Sequence, residues 1–257
     1  MSPEPKIAFK DVNVSFGANH VLRGVDLDVA AGESLVVIGG SGSGKSVLIK
    51  TVLGIVRTDS GQVLVDGENV VGASGRRREA LNARIGMLFQ GGALFDSIKV
   101  WENVAFGLMQ SGVAKGDAAR GMAIETLARV GLDKSAADLL PVELSGGMQK
   151  RVALARAIAD QPEIIFFDEP TTGLDPIMSD VINHLIVECV RDLGATAITI
   201  THDMRSVRTI ADHVAMIYEG RIIWKAPVAE LDEPNNPYVD QFVHGRADGP
   251  IRMAVRR

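Results

Sequence analysis

The sequence is poor in the features that tie a chain to an oxidising compartment, a bilayer or a nucleic acid. It has one cysteine, Cys189, so no internal disulfide can form, and metal or nucleophile roles for that sulfur lack partners. Cys189 falls in an apolar pattern of helical spacing and is expected to pack as a small hydrophobe. No run approaches the roughly 18 apolar residues of a membrane span, and Met1-Ser2-Pro3-Glu4-Pro5-Lys6 lacks the apolar core of a signal peptide. The expectation is a chain that stays in the cytoplasm. Positive charge is short as well. A formal net charge of -5 and a pI near 5.6 argue against a broad nucleic-acid surface, leaving room for a local patch. Arg76-Arg77-Arg78 is the basic cluster, read as a solvated helix face, with contact to anionic lipid or a partner as the alternative.

What is present is ordinary globular composition, 46% hydrophobic and 23% charged, over 257 residues. That length can bury a large core as one big α/β domain or two small ones. Gly39-Gly40-Ser41-Gly42-Ser43-Gly44-Lys45-Ser46 fits the phosphate-loop pattern G-x-x-x-x-G-K-[ST] at every specified position. The apolar run Ser34-Leu35-Val36-Val37-Ile38 before it predicts a strand buried on both faces, and Val47 to Leu53 predicts a helix stopping at Gly54. Glycines let successive backbone N–H groups close around phosphate oxygens at a helix N-terminus. Lys45 would reach the β- and γ-phosphates, and Ser46 would offer its hydroxyl to Mg²⁺.

Ile7-Ala8-Phe9, Val12 to Phe16 and Val25 to Val29 alternate apolar with polar residues, as antiparallel strands with one covered face do, and Gly17-Ala18-Asn19 breaks the run. Phe16 either fills core or stacks on a purine. Gln62 to Gly67 and Ile85 to Phe89 read as further strands, the latter ending at Gln90. From Val100 to about Asp160 the pattern turns helical, with Ala118 to Val130 and Met148 to Ala159 as clear segments, an insertion within an α/β domain. The strand Ile164-Ile165-Phe166-Phe167 then runs into Asp168-Glu169, an acid able to hold Mg²⁺ through water and one able to orient or deprotonate a water. A helix over Ser179 to Leu193 and a strand over Ala197 to Ile200 lead to Thr201-His202-Asp203. In a parallel sheet ligands gather at the carboxyl ends of strands, where Gly39, Asp168 and His202 would all sit. Val214 to Tyr218 and Arg221 to Trp224 form a hairpin, and the tail from Asn235 is interrupted by Pro and Gly and ends in basic residues.

With Leu144-Ser145-Gly146-Gly147-Met148-Gln149 between the phosphate loop and the acidic strand, the chain resembles an ABC transporter ATPase subunit from Phe16 to the hairpin near Trp224. The resemblance implies an α/β phosphate-loop NTPase core with an antiparallel β subdomain and an inserted helical subdomain carrying the signature. It also implies a head-to-tail homodimer with two composite ATP sites. It assigns Phe16 to adenine stacking, Gln90 to sensing Mg²⁺ and the permease, and Ser145 and Gly147 to the γ-phosphate across the dimer. Asp168 becomes the metal-linked acid, Glu169 the catalytic carboxylate, Gly173-Leu174-Asp175 the loop crossing the interface and His202 the γ-phosphate switch. Val47 departs from the hydroxyl residue usual beside the α-phosphate; its backbone N–H remains.

Within that family, Phe89-Gln90-Gly91-Gly92-Ala93-Leu94-Phe95-Asp96-Ser97 followed by Val100-Trp101-Glu102-Asn103-Val104 is similar to the subgroup serving MCE-type lipid transporters, the Mla system. Gln241-Phe242-Val243 with Asp248-Gly249-Pro250 is similar to that subgroup's tail, which reaches onto the neighbouring ATPase subunit. The subgroup implies phospholipid cargo, an integral-membrane permease, an MCE-domain protein, a STAS-domain regulator and no nucleic acid, at the cytoplasmic face of the bacterial inner membrane. Phe95 and Trp101 are candidates for permease contact or for core. The expected organisation is an ATPase domain over 1–240, its helical subdomain about 97–160, and a C-terminal extension over 241–257. A small-solute importer subunit is the alternative; a nucleic-acid ATPase is disfavoured by the acidic balance and by the lack of a second nucleotide domain or long coiled-coil insertion, and a small-molecule kinase leaves the signature unexplained.

Overall fold

The computed structural model describes residues 4–252, so Met1-Ser2-Pro3 and the basic end Met253-Ala254-Val255-Arg256-Arg257 lie outside the described residues. Alternating burial makes β1 (Ile7–Phe16) and β2 (Asn19–Val29) a hairpin, joined on the other edge of β1 by β4 (Ser60–Val65) and β5 (Glu68–Asn69) in a four-stranded antiparallel sheet. The two short strands expected at Ile7 and Val12 are one. The register shifts between Phe9 and Val12, and Asp11 turns to φ 49, so a bulge interrupts the alternation without ending the strand.

The second sheet runs in the order β10-β9-β3-β8-β7-β6. Its strands β3 (Ser34–Ile38), β6 (Ile85–Leu88), β7 (Ile164–Asp168), β8 (Thr196–Ile200) and β9 (His213–Tyr218) are parallel, and β10 (Arg221–Pro227) closes one edge antiparallel to β9. Successive side chains point to opposite faces, which divides the apolar residues between two cores. Leu35, Val37, Ile164 and Phe166 face the core shared with the antiparallel sheet, while Val36, Ile38, Ile165 and Phe167 face the helices. This two-sided burial is why these strands read as continuous apolar runs.

The helices are α1 (Lys45–Val52), α2 (Gly75–Asn82), α3 (Val100–Val104), α4 (Phe106–Gln110), α5 (Gly116–Arg129), α6 (Gly146–Ile158), α7 (Pro176–Leu193), α8 (Met204–Ile210) and α9 (Pro237–Val243). Helix α7 starts three residues earlier than the apolar periodicity suggests, because Asp175 caps it and Pro176 occupies its first turn. Cys189 on α7 is buried among apolar neighbours, and burial pushes its thiol up to about 11, as expected of a small hydrophobe.

Two expectations change. The Arg76-Arg77-Arg78 cluster is not a uniformly solvated face: Arg78 folds inward and donates to the Val52 and Val70 carbonyls, each at 2.7 Å, tying α2 to the end of α1. The tail is not irregular either. Asn236 caps α9, whose Val239 and Val243 enter the helical core, so the expected boundary at 240/241 falls inside a helix. Beyond α9 the buried Gln241 side chain donates to the Arg246 and Ile251 carbonyls and accepts from the Ile251 N–H, folding the tail through Ile251 onto its own helix.

A charged cluster joins the two sheets at their far edge. Arg84, ahead of β6, makes paired bonds to Glu163 at 2.9 and 2.7 Å and a further one to Asp66, while Lys6 reaches both acids. Hydrogen bonds from Arg84 and then Lys6 hold Glu163 at about 2, below its ordinary 4.5. A carboxylate whose pKa falls on folding stabilises the fold above its unfolded value, and that contribution disappears as pH drops through the folded value. Arg84→Ala is therefore expected to destabilise the protein by about 1 kcal/mol at pH 7, small because the cluster is half exposed and screened. The difference from the parent should shrink between pH 4.5 and about 2. Urea melts of both proteins across that range measure it.

Candidate active site

Strand β3 delivers the chain into the glycine loop with no slack. A Cβ on Gly39 would lie 2.3 Å from the Ile217 carbonyl of β9, and one on Gly44, at φ 107, would lie 2.8 Å from Leu22 Cδ2. Glycine is required at both by close approach. Gly40 and Gly42 instead face open space. Gly44 supplies no side-chain cap to α1, so that helix presents its first N–H groups to whatever lies in the loop. Lys45 bends back over the loop and donates to the Gly39 and Gly40 carbonyls at 2.8 and 2.9 Å. Burial lowers its pKa, while Glu169 and Asp168 oppose that shift. Ser41 is exposed, and the Ser43 hydroxyl is buried with no partner among the described residues. An uncapped helix start, an orphaned hydroxyl and an ammonium resting on its own loop fit an incoming polyphosphate.

The acids stand opposite. Asp168 ends β7, and its Oδ1 accepts from the Ser46 hydroxyl at 3.2 Å. Desolvation raises its pKa, with the Ser46 bond acting the other way. Glu169 follows at φ 50, a costly conformation for a residue with a Cβ, held by a bond from its N–H to the Ile200 carbonyl at 2.9 Å. That twist turns its carboxylate between His202 Nδ1, 2.9 Å from Oε1, and the Thr172 hydroxyl, 3.1 Å from Oε2. The carboxylate opposite makes Nδ1 the hydrogen-bearing nitrogen of His202 and leaves Nε2 on the exposed side. Among the described residues no cluster of three or more His, Cys, Asp or Glu could hold a metal. The Ser46 hydroxyl and the Asp168 carboxylate, with the Gln90 amide and phosphate oxygens, would suit a Mg²⁺ ion, which prefers few protein ligands.

Other expected residues make no side-chain hydrogen bond to the loop or the acids. Ser145 caps α6 through a 3.3 Å bond from the Met148 N–H and makes no polar contact with the phosphate loop. Gly147 is buried against Met178 of α7, where a Cβ would lie 2.9 Å from the methionine side chain. Asp175 spends its Oδ1 on the Ile177 and Met178 N–H groups at 2.9 and 3.0 Å, so it acts as a helix cap within this chain. Phe16, 52% exposed at the β1–β2 hairpin end, does not fill core. Val47 lines a hollow with Val21, Gly42, Gly44, Lys45 and Ser46. Gln90 is exposed just beyond β6. Trp101 packs on the helical core, and Phe95 stays exposed with its ring 4.7 Å from that of Phe106.

Sequence reasoning missed Thr172, which holds the second oxygen of Glu169, and Lys150, a buried lysine on α6 whose ammonium donates to the Gln90 carbonyl. The signal for Lys150 was present: it shares a helix face with Gly147 and Leu154, at spacings of three and four residues, where an apolar residue belongs.

Comparison with known proteins follows this geometry. Residues 22–172 match the family described as ABC transporter. The chain is 38% identical to the Escherichia coli K12 "Intermembrane phospholipid transport system ATP-binding protein MlaF", over 95% of this chain and 91% of that one. It is 40% identical to the Arabidopsis thaliana "Protein TRIGALACTOSYLDIACYLGLYCEROL 3, chloroplastic", over 96% and 75%. It is 37% identical to a Mycobacterium leprae "Probable ribonucleotide transport ATP-binding protein mkl", over 98% and 72%. Among solved structures, a dimeric ATP-binding cassette in a post-hydrolysis state bound to ADP and Pi superposes with a TM-score of 0.79 at 28% identity, covering 86% of this chain and 98% of that one. The cbiO1 subunit from Clostridium perfringens does so at 0.80 and 30% identity, covering 95% and 94%. No described helix is long and apolar enough to cross a membrane. A phosphate-loop sheet facing an acid pair, in a chain matched this fully, is the nucleotide machinery of one family: the chain belongs to the ABC transporter family and is an ATP-binding subunit that hydrolyses ATP to drive transport.

Proposed function

We propose that this chain powers phospholipid transport between the inner and outer membranes of a bacterium, bound peripherally at the cytoplasmic face of the inner membrane to an integral-membrane permease. The observation that carries the cargo is the similarity to the intermembrane phospholipid transport subunit over nearly the full length of both chains. An MCE-domain protein and a STAS-domain protein complete the assembly in this reading. The mycobacterial relatives named for ribonucleotide transport keep a small-solute importer as the second reading. Affinity purification in mild detergent separates the two: a permease with an MCE-domain protein and phospholipid is expected, and a small-solute permease in its place would overturn the cargo.

The chain works as a head-to-tail homodimer with two composite ATP sites. The dimeric cassette among its structural neighbours supports this. So do the lack of a hydrogen bond between Ser145 and its own phosphate loop and the exposed Val142 and Ile177 beside Ser145 and Asp175. In this reading Gly39, Ser41, Gly42, Ser43, Gly44 and Val47 hold phosphates mainly by backbone N–H groups, and Lys45 leaves the Gly39 and Gly40 carbonyls for the β- and γ-phosphates. Phe16 stacks on adenine, and Ser145, Gly147 and Asp175 complete the partner's site. Ser46, Asp168 and Gln90 would hold Mg²⁺, which when bound neutralises charge developing on the transferred phosphoryl group. Glu169, fixed by His202 and Thr172, orients the attacking water, and His202 turns its free Nε2 to the γ-phosphate. The helical part over about 97–160 belongs to the ATPase domain, and any C-terminal extension begins after α9 at Val243.

Two substitutions separate binding from turnover. Glu169→Gln keeps the shape of the carboxylate site but removes its charge, so phosphate release is expected to fall by about 100-fold or more while ATP binding persists and traps a dimer on gel filtration. Lys45→Ala is expected to weaken ATP binding itself, read by titration with a fluorescent ATP analogue.

A further inference from the structure

We propose that Lys150 and Arg156 of α6 are positioning residues for ATP hydrolysis, holding the loop Gln90–Ala93 so that Gln90 is presented to the nucleotide site. The inference rests on the role given to Gln90 above. Along α6, Lys150, Ala153 and Arg156 recur at three-residue intervals, and the loop lies across them. Gly92 packs at the centre, where an added Cβ would be 3.5 Å from that of Ala153. On one side Lys150 Nζ donates to the Gln90 carbonyl. On the other, Arg156 Nη2 donates to the Gly92 carbonyl and Nη1 to the Ala93 carbonyl, each at 2.7 Å.

The loop is shaped to meet them. Gly92 and Ala93 both take positive φ, 75 and 48, and the Gly92 N–H closes a turn to the Phe89 carbonyl at 2.8 Å. That conformation is strained at Ala93, which has a Cβ, and the strain persists because Arg156 fastens its carbonyl. Neither cation has a carboxylate within ion-pair distance among the described residues. Lys150 is buried all the same, at 7% exposure. A buried ammonium on a single carbonyl is an expensive way to fill a helix face that a methionine could fill, and such expense points to a task. Burial lowers the proton affinity of Lys150 while Glu169 raises it, so the same ammonium stands in the field of the acid paired with His202. The helix that grips the loop is capped at its start by Ser145, so loop and signature are fastened to one element. At the other end of the loop the buried Asn103 accepts from the Phe95 N–H and donates to the Phe95 carbonyl, leaving little slack between β6 and α3.

The test is steady-state hydrolysis by the full chain carrying Lys150→Met, Lys150→Arg, Arg156→Lys or Gln90→Ala, with KM and the affinity for a fluorescent ATP analogue measured for each. Lys150→Met is expected to lower kcat about tenfold or more with KM and analogue affinity within about twofold of the parent. Lys150→Arg should restore most of that loss, and Arg156→Lys, which keeps charge but loses one of its two carbonyls, should fall between. The double variant Gln90→Ala with Lys150→Met should turn over no more slowly than the worse single variant, as expected of residues acting through one another. Normal kcat in both Lys150→Met and Arg156→Lys beside an impaired Gln90→Ala would overturn the inference. Loss of analogue affinity in step with kcat would overturn it too, by marking a purely structural clamp. Normal kcat in Gln90→Ala would instead remove the role of Gln90 on which the inference depends.

Discussion

The constraint on which the site depends is a shared register. Val37 of β3 and Asp168 of β7 both pair with Ile200 of β8, so the strands leave the sheet at one level. A backbone ladder cannot slip by one residue without exchanging its two apolar faces, and both faces are buried here. The glycine loop, the acid pair and His202 are therefore brought together by packing far larger than any contact among themselves. The polar bonds at the edge, Ser46 to Asp168 and His202 to Glu169, refine positions that the sheet has already supplied.

The electrostatics of that edge explain why it waits for an anion. Lys45 is partly desolvated and its hydrogen-bond partners among the described residues are two neutral carbonyls of its own loop. Ser43 has a buried hydroxyl with no partner among the described residues. Asp168, its pKa raised by desolvation, faces the Ser46 hydroxyl. Lys45 and Ser43 are left short of a partner that a phosphate, with its charge and several acceptor oxygens, provides, whereas Asp168, itself an acceptor, would need a cation between it and that phosphate. The signature residues make no such demand locally, because Ser145 already caps α6 and Gly147 already packs on Met178.

What was legible in the sequence is what local chemistry dictates. Gly39 to Ser46 reads correctly because only glycine tolerates the approach to Ile217 and Leu22, and β7 reads correctly because both its faces are apolar up to Asp168. The single cysteine behaves as its apolar setting implies. Tertiary partners are what the sequence conceals. Arg78 looked like a surface charge because nothing beside it announces the Val52 and Val70 carbonyls it serves. Helix α9 hid behind Asn236 and Pro237, which read as breakers in isolation and act as a cap and first turn once Val239 and Val243 have a core to enter. Phe16 reads equally as core or as an aromatic that stacks on a purine, and its exposure removes the first.

Positive φ outside glycine draws the last distinction. Asp66 and Glu219 adopt it immediately before Gly67 and Gly220, which are positive as well; two consecutive residues of that kind make the tight turn that suits a hairpin. Glu169 has no glycine beside it, and Ala93, although it follows the positive-φ Gly92, closes no hairpin. They follow the neighbouring strands β6 and β7 at the carboxyl edge of the sheet, and each is held by a bond from a different element, Arg156 of α6 for one and the Ile200 carbonyl of β8 for the other. Strain maintained by surrounding structure, at two adjacent strand ends and beside the acid that faces His202, is what a site requires when geometry matters more to it than local comfort. The turn residues shape the outline of the molecule, and these two shape the carboxyl edge of the sheet beyond β6 and β7.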